Sequence, residues 1–449
     1  MTADLAIKGG TVVSSDTRAR ANIYVTDGRV AHVGDADLPA GETVDATGLY
    51  VLAGLVDTHV HLMDPGDTER EDFPTGTAAA AAAGVTTIIE HTHSHPLRVV
   101  GDLEEKRSHL EGRSNVDFGL AAHVWPDHID DLPALWHAGV SFFKIFTCTT
   151  HGVPGLAGDD LERALTVIAS LGAICLAHCE DEGMTAGAEE RLRSQGRDDN
   201  AVLIEWRSRE AELSAVEEVC RLTTLTGSRV TIAHVSSPEV AGIISRHRAR
   251  GADIAAEACP QYFALREDEV LTEGPLRKFT PPARARTDAD EEAMWSLLHT
   301  GALGHVSTDH APSTRRQKRA GIWEAPFGLP GLDTTGPFLI DAAIQGRIAF
   351  EDVARVYSEA PARRYGLYPR KGHVGVGADA DLVLVDPDGS WGVVDSDVIS
   401  KAGWSPFGGR TLAGRVRACY LAGQLVAADR SPFDRRTGRF LPGPGLGSA

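Results

Sequence analysis

The sequence predicts an α/β fold: a (β/α)8 barrel, or TIM barrel, with a small β-sandwich domain built from both chain ends. Three observations lead to this prediction. Eight β-type runs in the middle of the chain are each followed by a helical pattern, short alternating runs occupy both ends, and no glycine-rich dinucleotide loop follows the first central run. That missing loop weakens the competing fold, an open doubly wound sheet. The central runs are residues 55–62, 85–91, 116–125, 141–148, 173–181, 229–237, 253–265 and 305–311.

Helical patterns separate these central runs. The only low-complexity stretch, the alanines at 78–83, is interpreted as plain helix, because alanine has the highest helix propensity. The clearest helical patterns cover residues 75–84, 160–172, 205–227 and 288–301.

The two chain ends have a different pattern, in which short runs of alternating apolar and polar residues are broken by glycine and aspartate. TDGR at 26–29 lies between two such runs and predicts a tight hairpin turn. Residues 1–52 and 366–430 are predicted to form one β domain, because chain ends often lie close together. Two separate β appendages are the alternative. The barrel then covers 53–365, and the Pro/Gly/Arg-rich tail 431–449 is interpreted as an arm that packs on another subunit or frays.

Charge and cysteine content narrow the class of protein. The 449 residues include 44 Lys+Arg and 63 Asp+Glu, a formal net charge of −19. Such a surface repels phosphate backbones and anionic lipid, so no nucleic-acid or membrane partner is expected.

No apolar run reaches the roughly 18 residues of a membrane span, and the start shows no signal peptide. Six scattered cysteines without a disulfide spacing indicate a reducing compartment, so a cytoplasmic enzyme is predicted.

A histidine pair ends the first central run, in Asp57-Thr-His59-Val-His61. Side chains at i and i+2 of a strand share a face, so both imidazoles can point to one place. Imidazole binds Zn²⁺ and similar ions, and barrel active sites lie at the carboxyl ends of the strands. A lone H-x-H is weak evidence, but this position predicts a metal site.

Other strand ends carry further candidates. Lys144 lies inside the almost wholly apolar run SFFKIF and is either a lysine at the barrel rim or a buried amine. A buried amine has a lowered pKa, becomes neutral, and can react with CO₂ to give a carbamate that bridges two metals. His178, His234 and Asp309 also follow apolar runs. Each alone is typical of a structural residue, but together with the histidine pair they predict one centre.

Six motifs, GLVDTHVH, FFKIF, LAHCED, TIAHVSS, EACPQY and STDHAP, resemble the cyclic amidohydrolases in order and spacing. This family contains hydantoinases, dihydropyrimidinases, allantoinases and dihydroorotases, and the resemblance covers about Leu5 to about Ala427. It implies an enzyme that opens the C–N bond of a small cyclic amide or ureide and forms a homodimer or homotetramer. It also implies two divalent metal ions, zinc in the first place, with manganese or cobalt as alternatives.

The resemblance implies a role for each metal ligand. The two histidines of the first strand bind the more buried metal, and the histidines of the fifth and sixth strands bind the other. The lysine, carboxylated by CO₂, bridges both metals, and the aspartate binds the first metal and acts as the catalytic base. In this sequence these ligands are His59, His61, Lys144, His178, His234 and Asp309.

The substrate contacts depart from the hydantoinase pattern. Hydantoinases carry a tyrosine five residues after the bridging lysine, whereas this chain has Thr149, with Thr150 and His151 as possible replacements. Thr280 matches the serine-type position whose backbone holds the cyclic ureide. The segments 64–77 and 325–335, the latter containing Phe327 and Gly328, resemble substrate loops of allantoinases and dihydroorotases.

Three positions differ from the dihydroorotase pattern. Where dihydroorotases carry an arginine, an asparagine and a histidine that hold the ring carboxylate, this chain has Met63, His93 and Ser313. Negligible dihydroorotase activity is therefore expected, with a preference for a ring without a free carboxylate. His93 also belongs to an alternating set with His91 and His95, which is interpreted as pocket or loop rather than as a third metal site.

Three other functions are alternatives to the hydrolysis of cyclic amides. A hydrolase of linear amides would use the same ligands, so the ligands alone do not exclude this function. A mononuclear deaminase would not need Lys144, and a non-catalytic scaffold would be expected to lose ligands that are all present here.

Overall fold

The barrel lies in the middle of the chain, as the sequence predicts. The structure is a computed structural model that describes residues 2–447. Met1 of the predicted β domain, and Ser448 and Ala449 of the predicted tail, lie outside the described residues. All neighbouring barrel strands pair in parallel. The amide of His61 donates to the carbonyl of His310 over 2.8 Å, which joins the last strand to the first. The strands are Leu55–Val60, Val85–Glu90, Asp117–Leu120 continued by Ala122–His123, Phe143–Phe146, Ile174–His178, Arg229–Ile232, Ile254–Ala258 and His305–Val306.

The observed strands are shorter than the predicted runs, mostly at their carboxyl ends. The clearest difference is the run 253–265, because its strand ends at Ala258 and Gln261–Ala264 is helical. Pro260 precedes that helix and cannot donate to a sheet ladder, so the strand assignment to residue 265 was wrong.

Helices surround the barrel and agree with the predicted patterns to within a few residues. The predicted helix 205–227 is two helices, because the backbone of Arg207 leaves the helical region and the Ser208 hydroxyl accepts from the amide of Ala211 to begin a new helix. The α-helices of the described residues are Phe73–Ala82, Val100–Leu110, Leu132–Ala138, Gly158–Ser170, Glu182–Ser194, Val202–Trp206, Arg209–Thr226, Pro238–Arg248, Gln261–Ala264, Glu269–Glu273, Asp288–His299, Arg315–Lys318, Thr335–Ile344, Phe350–Ala354 and Ala360–Arg364. Among residues 2–447, no helix has the length and hydropathy needed to cross a membrane.

Both chain ends build a β-sandwich, as predicted. Val383 of the C-terminal part pairs with Leu52 of the N-terminal part, so one sheet contains strands from both ends. TDGR forms the expected hairpin, with positive φ at Asp27 and Gly28, as a type I′ turn requires. One sheet contains Arg29–Gly34, Asn22–Thr26, Ala3–Lys8 and Ala40–Asp45, and the other Ser431–Pro432, Gln424–Ala428, Thr411–Leu421, Leu382–Gly392, Tyr50–Ala53, Thr11–Val13 and Arg18–Arg20.

The C-terminal tail lies on the barrel of its own chain. The amide of Phe118 donates to Arg439 and the amide of Leu441 donates to Phe118, which adds the tail beside the third barrel strand. A Cβ at Gly443 would lie 1.9 Å from the carbonyl oxygen of Val140, so only glycine permits this approach. Through residue 447 the tail therefore packs along the barrel of its own chain.

A buried lysine joins the barrel to the β-sandwich. The Nζ atom of Lys371 lies 2.6 Å from Asp117 of the third barrel strand, and 3.0 and 2.7 Å from Asp379 and Asp381. Burial alone would lower the pKa of Lys371, but the carboxylates of Asp381, Asp117 and Asp379 raise it above its ordinary value. The charged lysine therefore compensates carboxylates from both domains.

Replacing Lys371 by methionine is expected to destabilise the fold by about 3–5 kcal/mol, because it leaves buried carboxylates without a counter-charge. Urea unfolding at neutral pH measures the change. Arg163→Met is the matched control, since Arg163 pairs with the 85% exposed Asp130, and it is expected to cost less than about 1 kcal/mol. Equal losses in the two variants would contradict a central role of Lys371.

Candidate metal centre and active site

Six potential ligands converge at the carboxyl end of the barrel. His59 lies on the first strand and His61 just after it, Lys144 on the fourth and His178 at the end of the fifth. The remaining two follow the sixth and eighth strands. All six line one cavity, referred to below as the inner cavity, and all except Asp309 are at most 3% exposed; they are His59, His61, Lys144, His178, His234 and Asp309.

Within this cavity the six groups form two sets. Oδ1 of Asp309 lies 3.2 Å from Nε2 of His59 and 3.4 Å from Nε2 of His61. Nδ1 of His178 lies 2.9 Å from Nε2 of His234. Nζ of Lys144 lies 3.4 Å from Nε2 of His59, so the lysine touches the first set. This division matches the pairing of ligands that the resemblance implies.

Hydrogen bonds behind the first two histidines orient their rings. Nδ1 of His59 lies 2.6 Å from Oε1 of Glu257, and Nδ1 of His61 donates to the carbonyl of His91 over 2.8 Å. Each ring therefore presents Nε2 to the cavity. A ligating histidine is typically held in this way by a carboxylate or a carbonyl.

Asp57 of the DTHVH motif joins the first and eighth strands. Its Oδ1 accepts from the amides of His59 and Thr308, both over 3.2 Å, and its Oδ2 accepts from the Tyr357 hydroxyl over 2.8 Å. Asp57 itself is buried and does not line the inner cavity. It positions the two strand ends that carry His59 and Asp309.

Burial sets the charge state of these groups. Burial, followed by the charge of Lys144, lowers the pKa of His59, and burial holds the pKa of His61 and of His234 well below the ordinary value. Burial also lowers the pKa of Lys144 and raises that of Asp309. The imidazoles are therefore neutral, the form that binds metals, and Lys144 is shifted toward the neutral amine.

The backbone is strained where the site is built. Met63, His151, His234 and Asp309 all have positive φ, between 35° and 57°. A non-glycine residue in this region costs on the order of 1–3 kcal/mol and persists only where its surroundings hold it. These residues occupy separate loops at one end of the barrel, so the strain is concentrated around the cavity.

The donor set fits divalent cations. Ligand atoms of His59, His61 and His91 lie within 4.8 Å of one another, and so do those of Cys148, His178 and Glu180. Nδ1 of His234 is buried without a hydrogen-bond partner. Neutral imidazoles with carboxylate oxygens suit divalent metal ions.

Most of the predicted substrate contacts reach the cavity. Met63 lines an adjoining space, while Thr149 is exposed and its hydroxyl accepts from the amide of Gly155 over 3.3 Å. The structure therefore does not bring Thr149 to the cavity but places His151 there. The other predicted contacts that line the inner cavity are His93, Thr280, Phe327 and Gly328.

The alternating histidines lie in a loop after the second strand, not on a strand face. His91 lies behind His61, with ring centroids 4.5 Å apart, and neither of its ring nitrogens has a partner. His93 stacks on His151 with centroids 4.3 Å apart and an interplanar angle of 12°. The interpretation as pocket and loop residues holds for these two side chains.

Several residues of the site were missed from the sequence. Glu180 follows His178 by two positions, and its Oε2 accepts from His178, Arg207 and Thr280 over 2.8, 3.1 and 2.7 Å. Glu257 is a single carboxylate in the apolar strand IAAEA, and that isolation was a usable signal. Nothing in the sequence indicated Arg207, because its partners come from three separate segments.

Comparisons with known proteins agree with this architecture. The model of the Amidohydrolase family matches residues 50–426. Allantoinase from Streptomyces avermitilis is 32% identical over 446 residues, covering 98% of each chain. Dihydroorotase from Halobacterium salinarum is 35% identical over 406 residues, covering 88% of this chain and 91% of the relative.

A solved structure is similar over almost the whole chain. The L-hydantoinase (dihydropyrimidinase) from Arthrobacter aurescens superposes with a TM-score of 0.93 at 29% identity, covering 98% of this chain and 100% of that chain. The family match extends over the whole barrel and into the C-terminal part of the β-sandwich. The chain therefore belongs to the amidohydrolase family.

Proposed function

We propose that this protein hydrolyses a C–N bond in the ring of a cyclic amide or ureide, of the hydantoin or allantoin kind. The observation that carries the proposal is the convergence of two histidine pairs, a buried lysine and an aspartate in one cavity. The names of the relatives, allantoinase and L-hydantoinase (dihydropyrimidinase), support a cyclic substrate.

The cavity is suited to two divalent ions, with zinc expected first and manganese or cobalt as alternatives. His59, His61 and Asp309 would hold one ion, and His178 and His234 the other. Such ions polarise a carbonyl group and lower the pKa of water. Lys144 would join the two sets as a carbamate: its neutral amine attacks CO₂, forms an N–C bond and releases a proton.

Proton transfer is assigned to Asp309. Its carboxylate lines the inner cavity beside both histidines of the first strand, and it is 13% exposed, so it faces the space in which a ring would lie. We infer that Asp309 takes the proton of the attacking water and returns it to the leaving ring nitrogen, as a general base and then a general acid.

The remaining cavity residues orient the ring. Phe327 supplies an aromatic wall, and His151 lies edge-on to it with ring centroids 5.7 Å apart. We infer that His151, rather than Thr149, takes the place of the hydantoinase tyrosine. A Cβ at Gly328 would lie 2.3 Å from the carbonyl oxygen of Ala311, so this wall requires glycine.

The resemblance also suggests a homodimer or homotetramer in the cytoplasm. The six buried free cysteines agree with a reducing compartment. Analytical ultracentrifugation of the purified protein tests the oligomeric state.

A hydrolysis screen tests the proposed function. The enzyme is loaded with Zn²⁺, Mn²⁺ or Co²⁺ in bicarbonate and offered allantoin, hydantoins, dihydrouracil, cyclic imides, dihydroorotate and N-acyl amino acids. Ring opening of a ureide or imide is the expected result. Turnover of linear amides alone, or of none of these compounds, would reject the proposal.

Dihydroorotate is expected to be a negligible substrate, although a dihydroorotase is among the relatives. Met63 carries no charge, burial holds the pKa of His93 well below its ordinary value, and Ser313 does not line the cavity. An unpaired buried carboxylate typically costs about 2–5 kcal/mol. Turnover of dihydroorotate comparable with the best ureide would contradict this expectation.

A further inference from the structure

A second space adjoins the inner cavity on its open side. This outer chamber has a volume of about 260 Å³, more than eight times the share of one water molecule in the liquid, about 30 Å³. It shares His93, His151 and Phe327 with the inner cavity, and Arg70 and Lys278 complete its polar wall. For a substrate that reacts at the ligands of the inner cavity, the outer chamber is therefore the adjoining space for its substituent.

Arg70 brings an uncompensated charge to this chamber. Its Nε donates to the carbonyl of Pro312 over 2.8 Å, and its Nη2 donates to the carbonyl of Phe327 over 3.4 Å. The only carboxylate paired with it among residues 2–447 is Asp67, which is 4.0 Å away and 45% exposed. The guanidinium is held in place by neutral carbonyls.

Lys278 brings a second positive charge to the outer chamber. It is 1% exposed, and its Nζ donates to the carbonyl of Trp323 over 3.0 Å. It lies 4.5 Å from the centroid of the Phe327 ring, and no carboxylate in the described part of the chain lies within 4.0 Å of it. Burial and then the charge of Arg207 lower the pKa of Lys278 to about 8, which still leaves it mostly charged at neutral pH.

Lys278 is buried and Arg70 is 13% exposed, and in the described part of the chain neither has a carboxylate closer than 4.0 Å. Cations so placed are costly, and they are unexpected in a protein with a net charge of −19. The nearby cation Arg207 is different, because Glu180 neutralises it over 3.1 Å. The outer chamber thus carries positive charge that an anionic ligand would neutralise. Its aromatic wall and its position beside the proposed reaction site indicate that this ligand is part of the substrate.

We propose that the outer chamber binds a carboxylate at the end of the exocyclic substituent of the substrate, through Arg70 and Lys278. The enzyme then prefers rings with an acidic side chain over rings with a neutral one. This inference rests on the proposed function. It also differs from dihydroorotate recognition, where the carboxylate is attached directly to the ring, whereas the carboxylate proposed here ends a longer substituent.

A pair of matched substrates tests the inference: hydantoin-propionic acid and hydantoin-propionamide, with the substituent on the same ring carbon. The acid is expected to have a kcat/KM at least about tenfold higher, which corresponds to about 1.4 kcal/mol. Arg70→Gln and Lys278→Met should each reduce this ratio, and the double variant should bring it close to one. Arg316→Gln removes the same charge from a residue that is 80% exposed and should leave the ratio unchanged.

The outcomes separate the inference from the function. If both compounds are opened at similar rates, the proposed function stands and the carboxylate site is rejected. If neither these two nor any compound of the hydrolysis screen is opened, the proposed function fails and the inference with it. Because the wild-type ratio is already decisive, a variant that does not fold leaves the test intact. A ratio that survives the double variant would place the anion contact elsewhere.

Discussion

Replacing Lys144 by alanine is expected to abolish ring opening and to lower the bound metal below the two divalent ions per chain expected for the wild type. The amine lies 3.4 Å from His59, and as a carbamate it would supply two anionic oxygens between the histidine pairs. The nearby carboxylates have other partners, since Glu257 lies 2.6 Å from Nδ1 of His59 and Oε2 of Glu180 accepts from three donors, including the charged Arg207. Metal analysis and kcat/KM on the best ring substrate measure the two losses.

Further measurements separate the carbamate from a structural role of Lys144. The intact mass of the wild type in bicarbonate should exceed that of the unmodified chain by one CO₂, and short carboxylic acids should restore part of the lost activity to Lys144→Ala. Lys401→Ala is the matched control, because Lys401 pairs with Asp72 away from the cavity. A fully active Lys144→Ala enzyme with two bound ions would overturn the binuclear carbamate centre.

The sequence was sufficient to predict the barrel and the convergence of its polar strand ends. Apolar runs that end in a single polar residue are local patterns, and a closed parallel barrel brings every carboxyl end to one rim. His178 and His234 are 56 residues apart, yet their ring nitrogens lie 2.9 Å from one another because their strands are neighbours. The distance follows from topology rather than from local sequence.

Loops and partners from distant segments could not be predicted in this way. Thr149 and His151 are two residues apart, but a short turn, in which Thr150 pairs with Val153, turns the first outward and the second into the cavity. Glu257 orients His59 across 198 residues of sequence. The weak pairing of Arg70 could not be identified from sequence, since only the fold shows that its carboxylate partner, Asp67, lies 4.0 Å away.

The position of Asp309 explains why one carboxylate can serve in two steps. It follows the eighth strand with a φ of 51°, and its Oδ1 touches both histidines of the first strand. Burial raises its pKa, and the neighbouring His59 and Lys144 side chains oppose that rise. A carboxylate so placed can accept a proton from water and release it again to a ring nitrogen within the same cavity.

Asp309→Asn is therefore expected to lower kcat by at least about 10²-fold, the usual scale for the loss of an acid–base group. Asparagine keeps the shape of the side chain but cannot carry the proton. Asp309 must be ionised to accept it, so the wild-type kcat/KM should fall at acid pH and the variant should lose this dependence. Metal content is measured in parallel, because Asp309 is also a proposed ligand. Asp395→Asn makes the same change at a site paired with Arg315 and should retain full activity. Near-normal turnover of Asp309→Asn with its metal retained would assign the base to another residue.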